Sequence, residues 1–207
     1  PDDSSLNGSD VLDWKTFAAN MAMMNGVERL VCWSGTHSRD IASPNLMNGE
    51  EQTFNSLFVT LHALLEQVRG FPVQLILEPY VAHVLHDAAS CVRLSQQFPA
   101  GEVKMVLDAP NLIPALDFGA KDTRAVKLVS EIAPAVGLIH LKDLGKQAGG
   151  QRIPLAPGQD TVAYGAYLRA ISQYMPEVPV VIENAITVED MRAARLFVED
   201  VLKEYHL

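Results

Sequence analysis

Cysteine is nearly absent. The 207-residue chain has two, Cys32 and Cys91, too few for a disulfide framework, which points to a reducing, cytoplasmic compartment. No apolar run nears the roughly 20 residues that span a bilayer, so no membrane association is expected. Basic residues are scarce, 16 against 25 acidic ones, and the formal charge is −9. A chain this acidic is poorly suited to neutralising phosphates, and no nucleic-acid partner is expected. Glycine and proline, at 13 and 12 residues, exclude collagen-like and low-complexity compositions. No GxGxxG or GxxxxGK(S/T) stands at a strand–helix turn, so no nucleotide-phosphate cradle is indicated. No GxSxG nucleophile elbow is found either.

What is present suits one domain with a sizeable core: 48% of residues are hydrophobic and 20% charged. Pro1 to Asp10 is polar and acidic and reads as a disordered lead-in. Val11 to Asn25 has helical spacing and closes at Asn25-Gly26. Val27 to Trp33 (VERLVCW) reads as a strand, Thr36 to Gly49 as a polar loop, and Glu50 to Val68 as an amphipathic helix. Strands are then predicted over Val73 to Leu77, Val103 to Leu107, Val136 to Ile139 and Pro179 to Ile182. Helices are predicted over His86 to Gln97, Lys121 to Ile132, Thr161 to Tyr174 (N-cap Asp160) and Thr187 to Tyr205. Leu144 to Gln159 reads as a long loop. Strands alternating with helices imply a parallel sheet covered by helices, either an open doubly wound sheet or a (β/α) barrel. Cys32 in a strand and Cys91 in a helix read as small core hydrophobes, and Trp33 reads first as a core residue, with an apolar wall of the site as its other reading.

Four consecutive strands end at a residue that can bind a hard or borderline metal: Glu78, Asp108, His140 and Glu183. Asp or Glu after one strand is commonly a turn or cap residue. Four such residues at equivalent points would converge at the mouth where parallel α/β folds bind ligands. Three carboxylates packed with a histidine call for a compensating cation, and the set suits Mn²⁺, Mg²⁺, Co²⁺ or Zn²⁺. Around it, Asn111 follows Asp108 by three positions, and Lys142 follows His140 by two, on the same side of a continuing strand. Asp143 is a candidate N-cap or partner for the His140 ring. His37 follows the first strand. Arg152 lies in the Gly-rich loop, where it could hold an anionic or polyhydroxy substrate. His83 and His86 follow Glu78, with surface placement as their ordinary reading.

The pieces LILEPY, KMVLDAPNLI, GLIHLKD, IPLAPGQDTVAYGAYLRAI and VVIENA resemble the xylose isomerase-like (β/α)₈ TIM barrels. That group includes sugar phosphate isomerases and epimerases, ketose 3-epimerases, inosose and dehydroshikimate dehydratases and the related apurinic endonucleases. The resemblance runs from about Val27 to the C-terminus. It implies one divalent metal held by Glu78, Asp108, His140 and Glu183. It also implies that Glu78 and Glu183 act as acid and base, with His37, Asn111, Lys142 and Arg152 binding substrate. Asn111 stands where many members have His. Val84 stands where ketose epimerases have a second substrate-binding Glu. With six histidines and one at a ligand position, the three-zinc endonuclease branch does not fit.

The implied function is a metal-dependent sugar or sugar-phosphate isomerase or epimerase working through an enediolate. Its small-molecule partner is a sugar, sugar phosphate or cyclic polyol. The alternatives are a dehydratase of an inosose- or dehydroshikimate-like substrate, and a catalytically inactive barrel used for binding. In the family the four ligands close strands five to eight, and complete barrels centre near ~250 residues. Residues 1–207 are therefore expected to form a single TIM-barrel domain lacking the first three βα units. A second possibility is a short member that covers its edges as a homo-oligomer.

Overall fold

The computed structural model describes residues 20, 26–146, 152–160 and 162–207; the side chains at 115, 116, 146 and 152 lie outside that set. The expected lead-in and first helix fall outside the described residues, apart from position 20. Five parallel strands form one curled sheet: β1 (Arg29–Trp33), β2 (Gln74–Glu78), β3 (Val103–Leu107), β4 (Val136–Leu141) and β7 (Val180–Ile182), in that order. The chain is thus α/β, a five-stranded half-barrel, rather than an open doubly wound sheet. Helices α1 (Glu51–Gln67), α2 (Ala88–Ser95), α4 (Lys121–Ile132), α5 (Tyr164–Tyr174) and α6 (Val188–Tyr205) alternate with the strands. A single turn, α3 (Ala109–Leu112), follows β3 directly.

The elements form where composition and caps agree. Strand β3 and helix α4 occupy the predicted spans. In α4 the buried Ala125, Leu128, Val129 and Ile132 repeat at three- and four-residue intervals. Helix α6 starts at a capping box in which Thr187 accepts from the Asp190 N–H and Asp190 accepts from the Thr187 N–H. Asp87 caps α2 in the same way and sets its start at Ala88 rather than at His86. Two expectations are corrected. Helix α5 begins at Tyr164, and Asp160 is not its cap; the Ala163 N–H donates instead to Asp122 Oδ1 at 3.0 Å. The expected loop after Leu144 contains an antiparallel hairpin of β5 (Asp143–Lys146) and β6 (Arg152–Leu155), because Leu144 to Lys146 keep extended partners in Arg152 to Pro154.

Two cores flank the sheet. The larger lies between strands and helices and includes Leu75, Leu77, Met105, Leu107, Ile139 and Leu141. The smaller lies on the concave face and consists of Ile76, Val106 and Leu138. Side chains alternate across a strand, so the residues two positions further on share that face. Those residues are Glu78, Asp108 and His140. The pairing of β3 with β4 slips between Met105 and Val106, so Gly137 breaks the alternation and faces this side too: a Cβ there would stand 2.7 Å from Lys104 Cβ and 2.9 Å from Ile76 Cδ1. Among the described residues no helix is long and apolar enough to cross a membrane.

Candidate metal centre

Each of the four candidate ligands is placed by its strand. Glu78 is the last residue of β2, Asp108 follows β3, His140 is inside β4 and Glu183 follows β7. His140 lies one residue beyond the predicted end because β4 continues to Leu141. Each offers one ligand atom, and the four atoms lie within 4.8 Å of one another. Asp108 is fully buried, Glu78 and His140 nearly so, and the Glu183 side chain is 28% exposed.

The charges are close but poorly satisfied among themselves. His140 Nδ1 stands 2.9 Å from Glu183 Oε1 and 3.9 Å from both Glu78 Oε1 and Asp108 Oδ2. Neither His140 Nδ1 nor Asp108 Oδ2 has a hydrogen bond of acceptable geometry. Both atoms have charged neighbours, Glu183 for His140 and Lys142 for Asp108, but three carboxylates gathered around one buried centre still leave acceptors in excess there. Three oxygens and one imidazole nitrogen around that centre form the donor set of a divalent cation of the Mg²⁺, Mn²⁺, Co²⁺ or Zn²⁺ class. The residues present fit such an ion.

Lys142 and Asn111 complete the cluster. Lys142 Nζ lies 2.5 Å from Asp108 Oδ2 and 3.1 Å from Glu183 Oε2, so its side chain does turn to the His140 side. Asn111 Nδ2 donates to Glu78 Oε1 at 2.8 Å, and the Asn111 N–H donates to Asp108 Oδ1 at 3.4 Å. The two glutamates are driven apart. Burial, with the Glu183 charge, raises the Glu78 carboxyl above its ordinary value. The His140 contact, with Lys142, lowers Glu183 to about 2. Burial pushes Asp108 up to about 7 against the pull of Lys142. Burial works against the His140 cation, but Glu183 and the other carboxylates outweigh it and raise the ring.

The cluster opens into a cavity of about 350 Å³. Glu78, Asn111, Lys142, Glu183 and Asn184 give its polar side; Trp33, Tyr80, His83 and Ile41 are among the residues of the other. The hairpin contributes Leu144 and Pro154. Trp33 is not a core residue: it is 48% exposed, because β1 is an edge strand. His37 does not line the cavity; its Nε2 lies 3.1 Å from Thr53 Oγ1 on α1. Arg152 opens β6, and its side chain lies outside the described set. Asp143 neither caps a helix nor touches His140. Its carboxylate accepts from the N–H groups of Gly158, Asp160 and Val162 and so ties down the segment after the hairpin. His86 stays near the surface beside Asp87.

Tyr80 and Asn184 were not singled out in the sequence. Asn184 carried a signal: asparagine tolerates the left-handed backbone, and here φ is 58° immediately after the candidate ligand Glu183. Tyr80 carried none.

No protein-family model and no curated sequence matches the chain. Solved structures do. A D-tagatose 3-epimerase-like protein superposes with a TM-score of 0.72 at 14% identity, over 98% of this chain and 75% of that one. The IOLI protein with a binding zinc atom gives 0.70 at 15% identity, over 99% and 73%. A xylose isomerase-like TIM barrel protein from Mycobacterium smegmatis in complex with magnesium gives 0.66 at 14% identity, over 98% and 70%. At such identities it is the fold that is established: the chain is a curled parallel half-barrel with the architecture of the xylose isomerase-like TIM barrels.

Proposed function

We propose that the chain is a divalent-metal-dependent isomerase or epimerase of sugars or sugar phosphates. One observation carries the reading: the carboxylates of Glu78 and Glu183 reach the same buried centre as Asp108 and His140, and both line the cavity. Paired groups whose environments separate their protonation states are suited to act as acid and base.

Glu78, Asp108, His140 and Glu183 would hold the ion. When bound, it would supply Lewis-acid polarisation of a carbonyl oxygen, which acidifies the adjacent C–H. Glu183, the more readily ionised carboxylate, takes that proton. Return of the proton by Glu183 to the neighbouring carbon, with the hydroxyl proton passing to the former carbonyl oxygen, gives isomerisation. Delivery by Glu78 to the opposite face of the same carbon gives epimerisation. Lys142 stands beside Asp108 and Glu183 and can stabilise negative charge on the enediolate oxygen. Asn111 holds the Glu78 carboxylate in place through its amide. Leu144 and Pro154 of the hairpin help to wall the cavity from water.

The test is incubation with free ketoses, ketose phosphates and inososes in D₂O with Mn²⁺. The expected result is deuterium at the carbon next to the carbonyl of one substrate, with an isomeric product. Appearance of a conjugated enone instead would identify a dehydratase. Failure of every compound to exchange would overturn the reading.

A further inference from the structure

Lys142 touches two of the four candidate ligands at once. It follows β4, two positions after His140, and its side chain is 8% exposed. Its Nζ stands 2.5 Å from Asp108 Oδ2 and 3.1 Å from Glu183 Oε2. A lysine amine is charged in its ordinary state, and two adjoining carboxylates favour that charge. Among the described side chains of the cavity wall it is the only lysine or arginine. Its contact with Asp108 lacks hydrogen-bond alignment, so the nearness of opposite charges holds it.

The three carboxylates do not depend on Lys142 for their orientation. Asp108 Oδ1 accepts from the Asn111 N–H, and Glu78 Oε1 accepts from Asn111 Nδ2. Glu183 Oε1 stands 2.9 Å from His140 Nδ1. What the lysine adds is charge. Ligands bind a metal in their deprotonated forms, so the set would offer three carboxylate charges and a neutral imidazole. The ammonium cancels one of the three, and the two that remain are the charge one divalent cation neutralises. The centre is thus electrically balanced when both cations are present, as a buried site requires. The same arrangement sets the two cations against each other. An ion held by this set shares Asp108 and Glu183 with the ammonium, and cations drawn to the same carboxylates repel.

We infer that Lys142 is an internal competitor of the metal ion, whose ammonium lowers the affinity of the centre for a divalent cation and keeps the ion exchangeable. This rests on the reading that Glu78, Asp108, His140 and Glu183 hold such an ion. It gives Lys142 a duty separate from the enediolate: it sets how tightly the ion is held before any substrate is present. A neutral side chain of similar length would leave all three carboxylates to the ion, which would then bind more tightly. Chelator-treated protein with that side chain would be less stable, because the fully buried Asp108 would lose its nearest cation.

Two substitutions separate competition from simple support. Lys142→Met removes the charge and keeps the length; Lys142→Arg keeps the charge. The measurement is calorimetric titration of the chelator-treated full chain with Mg²⁺ and with Mn²⁺, without substrate. The expected result is a Kd lower by about tenfold or more in Lys142→Met, and within about threefold of wild type in Lys142→Arg. Thermal melts give a second reading. Without added ion Lys142→Met should melt below wild type, and saturating Mg²⁺ should raise its Tm by more than it raises that of wild type. A Lys142→Met protein that folds only with Mg²⁺, or that binds Mg²⁺ where wild type does not, also supports the inference. An unchanged or higher Kd in Lys142→Met, or a variant unfolded with and without Mg²⁺, makes the lysine a structural support and overturns it. Equal tightening in Lys142→Arg assigns the effect to shape rather than charge and overturns it as well. In each of these cases metal binding by the wild type leaves the proposed ion site standing. No binding of either ion by wild type or by Lys142→Met overturns both.

Discussion

Strands β2 to β4 and strands β1 and β7 belong to one sheet but live in different surroundings. On the concave face of the central three, Ile76 and Val106 are fully buried and Leu138 is 8% exposed. On the same face of the outer two, Val31 pairs in register with Ile76 and is 41% exposed, and Val181 pairs with His140 and is 43% exposed. The candidate metal centre straddles this division. Glu78, Asp108 and His140 stand on the packed centre, while Glu183 follows the three-residue edge strand β7. The difference separates two jobs. The centre preorganises a cluster of charges that would repel one another in a looser frame. The edge supplies the one carboxylate that keeps access to the cavity and is the most acidic of the three.

The sharpest way to break the comparison is at the two glutamates. Glu183→Gln keeps size but exchanges one of the two acceptor oxygens facing His140 and Lys142 for a donor and cannot take a proton, and turnover of the accepted ketose should fall by roughly 10³-fold or more. Glu78→Gln should also abolish net conversion. If the two play distinct roles, Glu78→Gln should retain part of the deuterium exchange at the carbon next to the carbonyl, because the first proton transfer belongs to Glu183. Equal loss of exchange in both would make the carboxylates equivalent and remove the distinction between centre and edge.

Stability should divide the same way. Ile76→Ala on β2 empties a fully buried position and should cost about 3 kcal/mol. Val181→Ala on β7 removes side-chain atoms already partly in water and should cost about 0.5 kcal/mol. Urea melts of the two variants measure this, and similar losses would mean that the β7 face is covered in solution. Between these lies Asp143→Ala. It deprives the N–H groups of Gly158, Asp160 and Val162 of their acceptor, with an expected loss of about 2 kcal/mol. Metal affinity should hold in that variant, since the carboxylate is bonded to the segment after the hairpin and not to His140.

Much of this division was legible in the sequence and part was not. VQLIL, VKMVL and VGLI are apolar at nearly every position, as strands buried on both faces are, and each leads directly to a candidate ligand. Glu183 was found by the same rule, although β7, like β1, has no fully buried residue. Trp33 was misjudged because burial of an edge residue depends on what lies beside the strand, which its own spacing does not encode. The hairpin was hidden in a stretch rich in glycine and proline, where turn residues outweigh the short extended runs. The histidines show the limit best. His37 and His83 both follow strand ends in polar loops; the expectation set His37 at the substrate and His83 at the surface, and the cavity is lined by His83 and not by His37. A bond from His83 to Ile41, 42 residues away, and one from His37 to Thr53 decide which of them faces the cavity.

The smallest effect expected is the most direct measure of how centre and edge are joined. A cation binding Glu78, Asp108, His140 and Glu183 together would tie β7 to β2, β3 and β4 through one more link. Anything that binds the native arrangement and not its opened form stabilises it by mass action. Strand β7 pairs with β4 over three residues only, Val180 to Ile182, and its opening should lie at the low end of the stability scale of this fold. Amides of β7 should therefore exchange faster than those of β3 in chelator-treated protein. Adding Mg²⁺ should slow β7 exchange by about tenfold, or ~1.4 kcal/mol, with little change in β3, whose exchange follows global unfolding. The NMR experiment is best run with Mg²⁺ or Zn²⁺, since Mn²⁺ broadens nearby signals. Uniform protection of both strands would mean that the sheet opens as one unit. Absence of protection anywhere would leave Glu183 outside the ligand set.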